Sequence, residues 1–322
     1  GWYTHTARAA HHQVTSLSAP MAAVVVTPAH PHPLAGLDEA WVWLTTERAN
    51  IMAVLQHAAD HWLDHHTIPL ANACGFLLSA GSLHEQVAAT SLGITAARRT
   101  GNHTQGSWLL LTRGTVLGSL GTWDQAQEDL DRAETLIQHL DDAELQLWML
   151  NDRGLFYLGQ GQFAEAVRWL DQALPLSRGI DTGRWEAVVE GNLGEAHLGL
   201  GHHQLALEHG EHGLHLRQQI GDLVGEAAAL AYVARAWRQL GDVEKAIALC
   251  QKAITIGRSI PRNRNATLAR PLAVLAICLN QLGHTSEAAT CWQQAADVYE
   301  DTGYPHKAAE IRQRLHDAQT PP

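Results

Sequence analysis

The side chains best placed to do chemistry are histidines and arginines at helical spacing. Among 21 histidines, His57, His61 and His65 follow one another at steps of four, and His209, His212 and His215 at steps of three. On a helix such steps bring imidazoles to one side, where two of them could share a metal ion. Neither set contains H-E-x-x-H, and no cysteine stands at ligand spacing. Solvated histidines are the preferred reading, and no metal or other cofactor is expected. Arg235 and Arg238 lie three apart, so they share a helix face and could clamp a carboxylate or phosphate. A solvated or salt-bridged pair is the plainer alternative. Arg113 and Arg153 recur 40 residues apart. They are expected either to pair with acids such as Glu195 or Asp152 or to point onto an open face.

Aromatic side chains add a second possibility. Trp108 and Trp148 are 40 residues apart, with Trp185 nearby. Stacked indoles would make a wall for a ligand or peptide, since tryptophan joins large contact area to a polar N–H. Packing between neighbouring helices is the competing use. No G-x-S-x-G elbow, no G-x-x-x-x-G-K-[ST] phosphate loop and no acid, base and nucleophile group stands out. The chain is therefore not expected to be an enzyme.

The elements that position these residues recur. Gly81, Gly121, Gly161, Gly201, Gly241 and Gly283 are spaced by 40, 40, 40, 40 and 42 residues. Five residues after the last five come Ala126, Ala166, Ala206, Ala246 and Ala288, and seven later Ala133, Ala173, Gly213, Ala253 and Ala295. A fixed period of this kind marks a repeat array. Each unit reads as two helices around the glycine turn, with a second break at Gly101, Asp141, Asp181, Gly221, Pro261 and Gly303. One hairpin cannot bury its apolar face alone, so stacking supplies the core.

Hairpins are expected at 104–139, 143–179, 183–219, 223–258 and 266–300, with Pro271 starting its helix late or kinking it. A divergent first hairpin is expected over 67–99 and a closing helix over 304–317. Before them, residues 1–17 suit a short helix and 18–37 a linker with Pro20, Pro28, Pro31 and Pro33. A helix from Asp38, as N-cap, to Asp60 follows. The resulting division is 1–37, 38–100, 101–303 and 304–322.

Composition sets limits on partners. There are 22 basic and 33 acidic residues, a net charge of −11, and the only lysines are Lys245, Lys252 and Lys307. With no basic stripe, direct contact with nucleic acid is not expected. The apolar run Met21–Val26 is too short to span a bilayer, and the start does not read as a signal peptide. Cys74, Cys250, Cys278 and Cys291 lack paired spacing and read as free buried thiols of a cytoplasmic protein. Gly1 in place of methionine leads us to expect a piece of something longer.

Seven residues before the turn glycines stand Gly114, Gly154, Gly194, Ala234 and Ala276. With the later alanines, this pattern resembles the tetratricopeptide repeat, although the unit exceeds the usual ~34 residues. A HEAT-type array has a similar length; the Gly/Ala register favours the tetratricopeptide reading. The resemblance implies an all-α, right-handed superhelical solenoid whose first helices line a concave groove. Register then places Trp108, Leu111 and Thr115 on that face, followed by Trp148, Asn151 and Leu155. Trp185, Val188, Gly191 and Glu195 come next, and then Ala228, Ala231, Arg235 and Arg238. The carboxylate-clamp variety uses groove lysines absent from these helices, so capture of chaperone C-termini is not expected.

A second resemblance concerns the order of segments. Gly1-Trp2-Tyr3-Thr4-His5-Thr6-Ala7 is followed, after the Pro-rich gap, by Trp43-Leu44-Thr45-Thr46-Glu47-Arg48-Ala49-Asn50-Ile51. This is similar to the junction in SARP-type actinobacterial regulators, where the winged-helix end of an NB-ARC (STAND) ATPase module passes into a tetratricopeptide sensor. The resemblance implies a ligand- or partner-sensing region of a multidomain transcription regulator. Its groove would bind a small-molecule effector, protein or peptide, and it would contact the upstream ATPase module. The alternative is a constitutive protein-interaction scaffold.

Overall fold

The computed structural model describes residues 1–14, 28–180, 183–260, 267–302 and 305–319. These form helices and connecting turns, with no strand among them. The chain divides into two compact units, Gly1–Asp152 and Arg153–Pro322. The helices are α1 (Trp2–Val14), α2 (Leu37–Thr46), α3 (Arg48–Asp60), α4 (Asp64–Ala73), α5 (Phe76–Ser79) and α6 (Leu83–Thr100). Then come α7 (His103–Ser119), α8 (Trp123–Ile137), α9 (Ala143–Gly159), α10 (Phe163–Ile180), α11 (Arg184–Gly199) and α12 (His203–Gln219). The chain continues through α13 (Leu223–Gln239), α14 (Val243–Ser259), α15 (Ala269–Gln281), α16 (Thr285–Asp301) and α17 (Pro305–Gln319).

The five regular hairpins and the closing helix thus appear where the period puts them. The turn glycines adopt the left-handed backbone, for example Gly161 at φ 71° and Gly201 at φ 77°, where a Cβ is penalised. Side-chain caps start several first helices. Asn102 accepts from the Gln105 N–H at 3.2 Å, and Asp222 from Gly225 at 3.0 Å, each satisfying an orphan donor. Within a hairpin the small residues set the approach. A Cβ on Gly154 would lie 2.6 Å from Leu170, and one on Gly194 would lie 3.2 Å from the Ala206 carbonyl. Ala126, Ala166, Ala206, Ala246 and Ala288 are all buried. In the second unit, α11 neighbours both α12 and α13, and α13 neighbours α14 and α15. Its C-terminal core gathers Ala246, Cys250, Ile254, Leu272, Ala276 and Trp292.

The N-terminal third departs from expectation. The helix expected from Asp38 to Asp60 is two helices broken at Glu47, and its N-cap is Gly36, with Asp38 inside the first turn. The Tyr3 hydroxyl donates to Glu47 Oε2 at 2.8 Å, tying α1 to the break. The first arm of the divergent hairpin is split into α4 and the short α5 around Gly75, whose Cβ would meet the His11 ring at 2.8 Å. Pro271 falls in the first turn of α15, which begins at Ala269, later than 266. A missing N–H costs nothing there. The breaks at Asp181, Pro261 and Gly303, and residues 18–27 of the Pro-rich linker with Met21–Val26, lie outside the described residues. The four cysteines are free, with Cys74, Cys250 and Cys278 buried. Burial pushes the Cys74 thiol up to about 12, so it is inert at neutral pH.

Candidate functional site

In Arg153–Pro322, charged and aromatic side chains from successive first helices converge on one carboxylate. Glu195 (α11) and Arg235 (α13) each stand six residues before a turn glycine, and Arg270 stands thirteen before Gly283. Arg235 Nη1 donates to Glu195 Oε1 at 3.2 Å. Arg270 Nη1 lies 3.6 Å from the other oxygen, Oε2. The Arg270 guanidinium also sits 4.3 Å over the Tyr232 ring, a cation–π contact. Lys307 of α17 lies 5.8 Å from the centre of the Tyr299 ring. Burial holds the Lys307 amine below its ordinary value and Arg270 pushes the same way, while Glu195 and Glu310 oppose them. Burial likewise raises Tyr299.

Side-chain exposures of 33% for Arg235, 36% for Arg270 and 26% for Glu195 leave this cluster open to solvent. Pairs so exposed contribute roughly 0–1 kcal/mol. Glu195 therefore holds the two arginines in place only weakly. Arg235 is salt-bridged, the plainer of the two readings, and Arg238 does not share its carboxylate. Arg238 Nε is buried without a hydrogen-bond partner among the described residues. Its charge acts on the Cys278 thiol of α15, against the burial that raises that group. The second arginine facing Arg235's carboxylate comes from the next first helix.

In Gly1–Asp152, Trp108 and Trp148 meet edge to face at 4.2 Å and 81°, not as stacked plates. Trp108, Leu111 and Asn151 are buried, whereas Thr115 and Trp148 are half-buried. Asp152 is buried. Burial pushes its carboxyl up to about 7, against hydrogen bonds from Asn151 and Thr115. Arg113 takes neither expected partner. It makes a two-pronged contact with Asp129 of α8 at 2.6 and 2.7 Å and reaches Ser91 Oγ at 2.8 Å. A cavity of about 300 Å³ opens among α6, α7 and α8, with Ile94 and Leu110 inside and Arg98, His103 and Arg132 among its lining. In the second unit, Arg153 lies 5.6 Å over Trp169, which stands 40 residues after Asp129. The same arginine position thus meets a carboxylate in one repeat and an indole in the next. Trp185 is buried, and Leu155 and Val188 are half-buried.

A family profile described as tetratricopeptide repeat matches residues 107–178, 145–219 and 226–301. The chain belongs to the tetratricopeptide-repeat family. This sets aside the HEAT alternative. Regulatory protein AfsR of Streptomyces coelicolor is 28% identical over 180 residues, covering 56% of this chain and 18% of that protein. AfsR of Streptomyces griseus is 24% identical over 311 residues, covering 87% and 32%. The tetratricopeptide chain therefore spans less than a third of the length of these relatives. Among solved structures, a Rap protein complexed with Competence and Sporulation Factor superposes with TM-score 0.65 at 15% identity, covering 87% of this chain and 85% of that one. A STAND protein with a tetratricopeptide repeat sensor, from Pyrococcus horikoshii, gives TM-score 0.59 at 13% identity, covering 86% and 44%. These likenesses bear out the resemblance to the tetratricopeptide region of such a regulator. No helix among the described residues is long and apolar enough to cross a membrane.

The histidines of this tetratricopeptide chain divide into two kinds. His57, His61 and His65 are exposed, as expected. His61 Nδ1 contacts the His57 carbonyl at 2.8 Å, and His65 packs on His66. His215 is exposed and bonded to Gln219. His209 and His212 are engaged instead, each with its Nδ1 on Glu190 of α11, at 2.6 and 3.0 Å. Burial works against Glu190's charge, but hydrogen bonds from the two histidines hold its carboxyl below the ordinary glutamate value. Their spacing pointed to shared chemistry; the carboxylate between them was the part not seen.

Proposed function

We propose that the chain is the effector-sensing tetratricopeptide region of a multidomain STAND-type transcription regulator. In the intact protein it contacts an upstream ATPase module in the cytoplasm and holds assembly off until an effector binds. The effector is a small molecule or peptide carrying an anionic group. It engages the groove formed by the first helices, where Arg235 and Arg270 exchange Glu195 for the incoming anion. Tyr232 and Tyr299 flank it, and Leu155 and Val188 add contacts from first helices of the same unit. The region itself catalyses nothing and touches neither nucleic acid nor membrane.

One observation carries this reading. A single, quarter-exposed carboxylate bridges two arginines drawn from two further repeats. Such a bridge is bistable: Glu195 satisfies the cations when the groove is empty, and a ligand with better geometry displaces it. The likeness to regulatory proteins supports the sensing role. The Rap protein in complex with a factor supports a fold that accommodates one.

A thermal-shift panel of carboxylates, phosphate esters and short peptides tests the reading. At least one anionic member should stabilise the chain. Glu195→Gln, which frees both arginines, should tighten its binding several-fold, and Arg235→Ala with Arg270→Ala should abolish it. Stabilisation by an uncharged compound alone, unaffected by either variant, would contradict the anion exchange.

A further inference from the structure

Hairpin α11–α12 carries charge at a place where its sister hairpins are apolar. The residue eleven before each turn glycine is Leu110, Leu150, Glu190, Leu230 and Leu272 in successive repeats. All five are buried, Glu190 at 2% exposure. Burying a carboxylate at a leucine position is costly unless it gains partners. α12 supplies two, His209 and His212, at the distances given above. One turn earlier on α11, Glu186 adds a second carboxylate. The ligand atoms of Glu186, Glu190 and His212 all lie within 4.8 Å of one another.

The backbone is shaped for this meeting. Where the other repeats carry Ala133, Ala173, Ala253 and Ala295, this one carries Gly213. A Cβ there would lie 3.2 Å from the Ala187 carbonyl and 3.4 Å from Glu190 Cβ, so the missing methyl lets α12 close on α11 beside the glutamate. The two carboxylates now share Arg178, whose Nε is 2.8 Å from Glu186 Oε1 and whose Nη2 is 3.6 Å from Glu190 Oε1. More than half exposed, that side chain can swing into solvent and leave its place to another cation.

We propose that Glu186, Glu190 and His212 form a binding site for a first-row divalent metal ion of the zinc type. Two carboxylates and one imidazole from two packed helices give three protein ligands, and water completes the coordination. His209, bonded to the second oxygen of Glu190, orients that ligand from outside the site. The ion replaces Arg178 and takes the place of the hydrogen bond between His212 Nδ1 and Glu190 Oε1. The bound ion ties α11 to α12, and α11 is the helix that bears Glu195.

The test is a titration of the chain with Co²⁺, followed by Zn²⁺. One equivalent of Co²⁺ should bind with visible ligand-field absorption that Zn²⁺ bleaches. Glu190→Leu restores the residue of the sister repeats and should fold; it should weaken binding about 100-fold, and His212→Ala at least about 10-fold. Failure of the wild-type chain to bind Co²⁺ would overturn the proposal. So would binding of equal strength in Glu190→Leu and His212→Ala, which would place the ion on exposed histidines elsewhere.

Discussion

Asp152 is buried beside Asn151 and Thr115, and its carboxyl is pushed up to about 7 from the ordinary 3.8. Between those values the folded chain keeps a proton that the unfolded chain has lost, so stability falls as pH rises through that window and levels off above it. Asp152→Asn removes the titration. Urea unfolding from about pH 5 to about pH 8 should show wild type losing on the order of 2–3 kcal/mol relative to the variant. Parallel curves for the two proteins would refute the buried, protonated carboxyl. Arg113 makes a second residue-scale prediction. Removing it in Arg113→Leu leaves Asp129, whose side chain is 3% exposed, with only the longer contact to Arg132 at 3.9 Å, at a cost of up to about 3–5 kcal/mol. Adding Asp129→Leu should recover much of the loss; no recovery in the double variant would show that the cost lies in packing. The recurrence of an arginine at this register was legible in the sequence. Its partner was not, because Asp129 lies across the hairpin rather than one repeat away. Glu190 was not singled out, although its misfit with Leu110, Leu150, Leu230 and Leu272 is a signal in the sequence; packing shows that His209 and His212 close on it.

The hairpin is the element whose form was most legible, because each repeat carries its own turn signal. At Gly161 and Gly201 a Cβ would touch nothing within 4 Å. Valine there is strained only through the left-handed backbone. Each substitution should cost about 1–3 kcal/mol in chemical unfolding, with the helical content of the folded state retained. An unchanged midpoint would mean that the turn does not hold that conformation in solution. Where helices are shaped by distant partners, the sequence pattern misled. The break at Glu47 is bonded to Tyr3, forty-four residues away, and local periodicity over 38–60 ran straight through it. The split of α4 from α5 likewise reflects Gly75 packed against His11.

At the scale of the whole chain, the period and the order of segments sufficed to indicate a tetratricopeptide region of a regulator, and the family match agrees. The candidate site was only partly legible. Glu195 and Arg235 were expected on the first-helix face. Arg270 was missed because it joins them from a different register position in the following repeat, a juxtaposition created by stacking rather than by spacing. Leu111, Asn151 and Trp185 are buried where an open face was expected.

The central claim, that this region binds an anionic effector through Arg235 and Arg270, is tested most directly by native mass spectrometry. The wild-type chain and the Arg235→Ala/Arg270→Ala variant would be compared after incubation with metabolite and peptide extract from the source cells. The account predicts a discrete added mass on the wild-type chain, from an acidic compound, that is absent from the variant. A bare wild-type chain, or an adduct carried equally by both proteins, would contradict it.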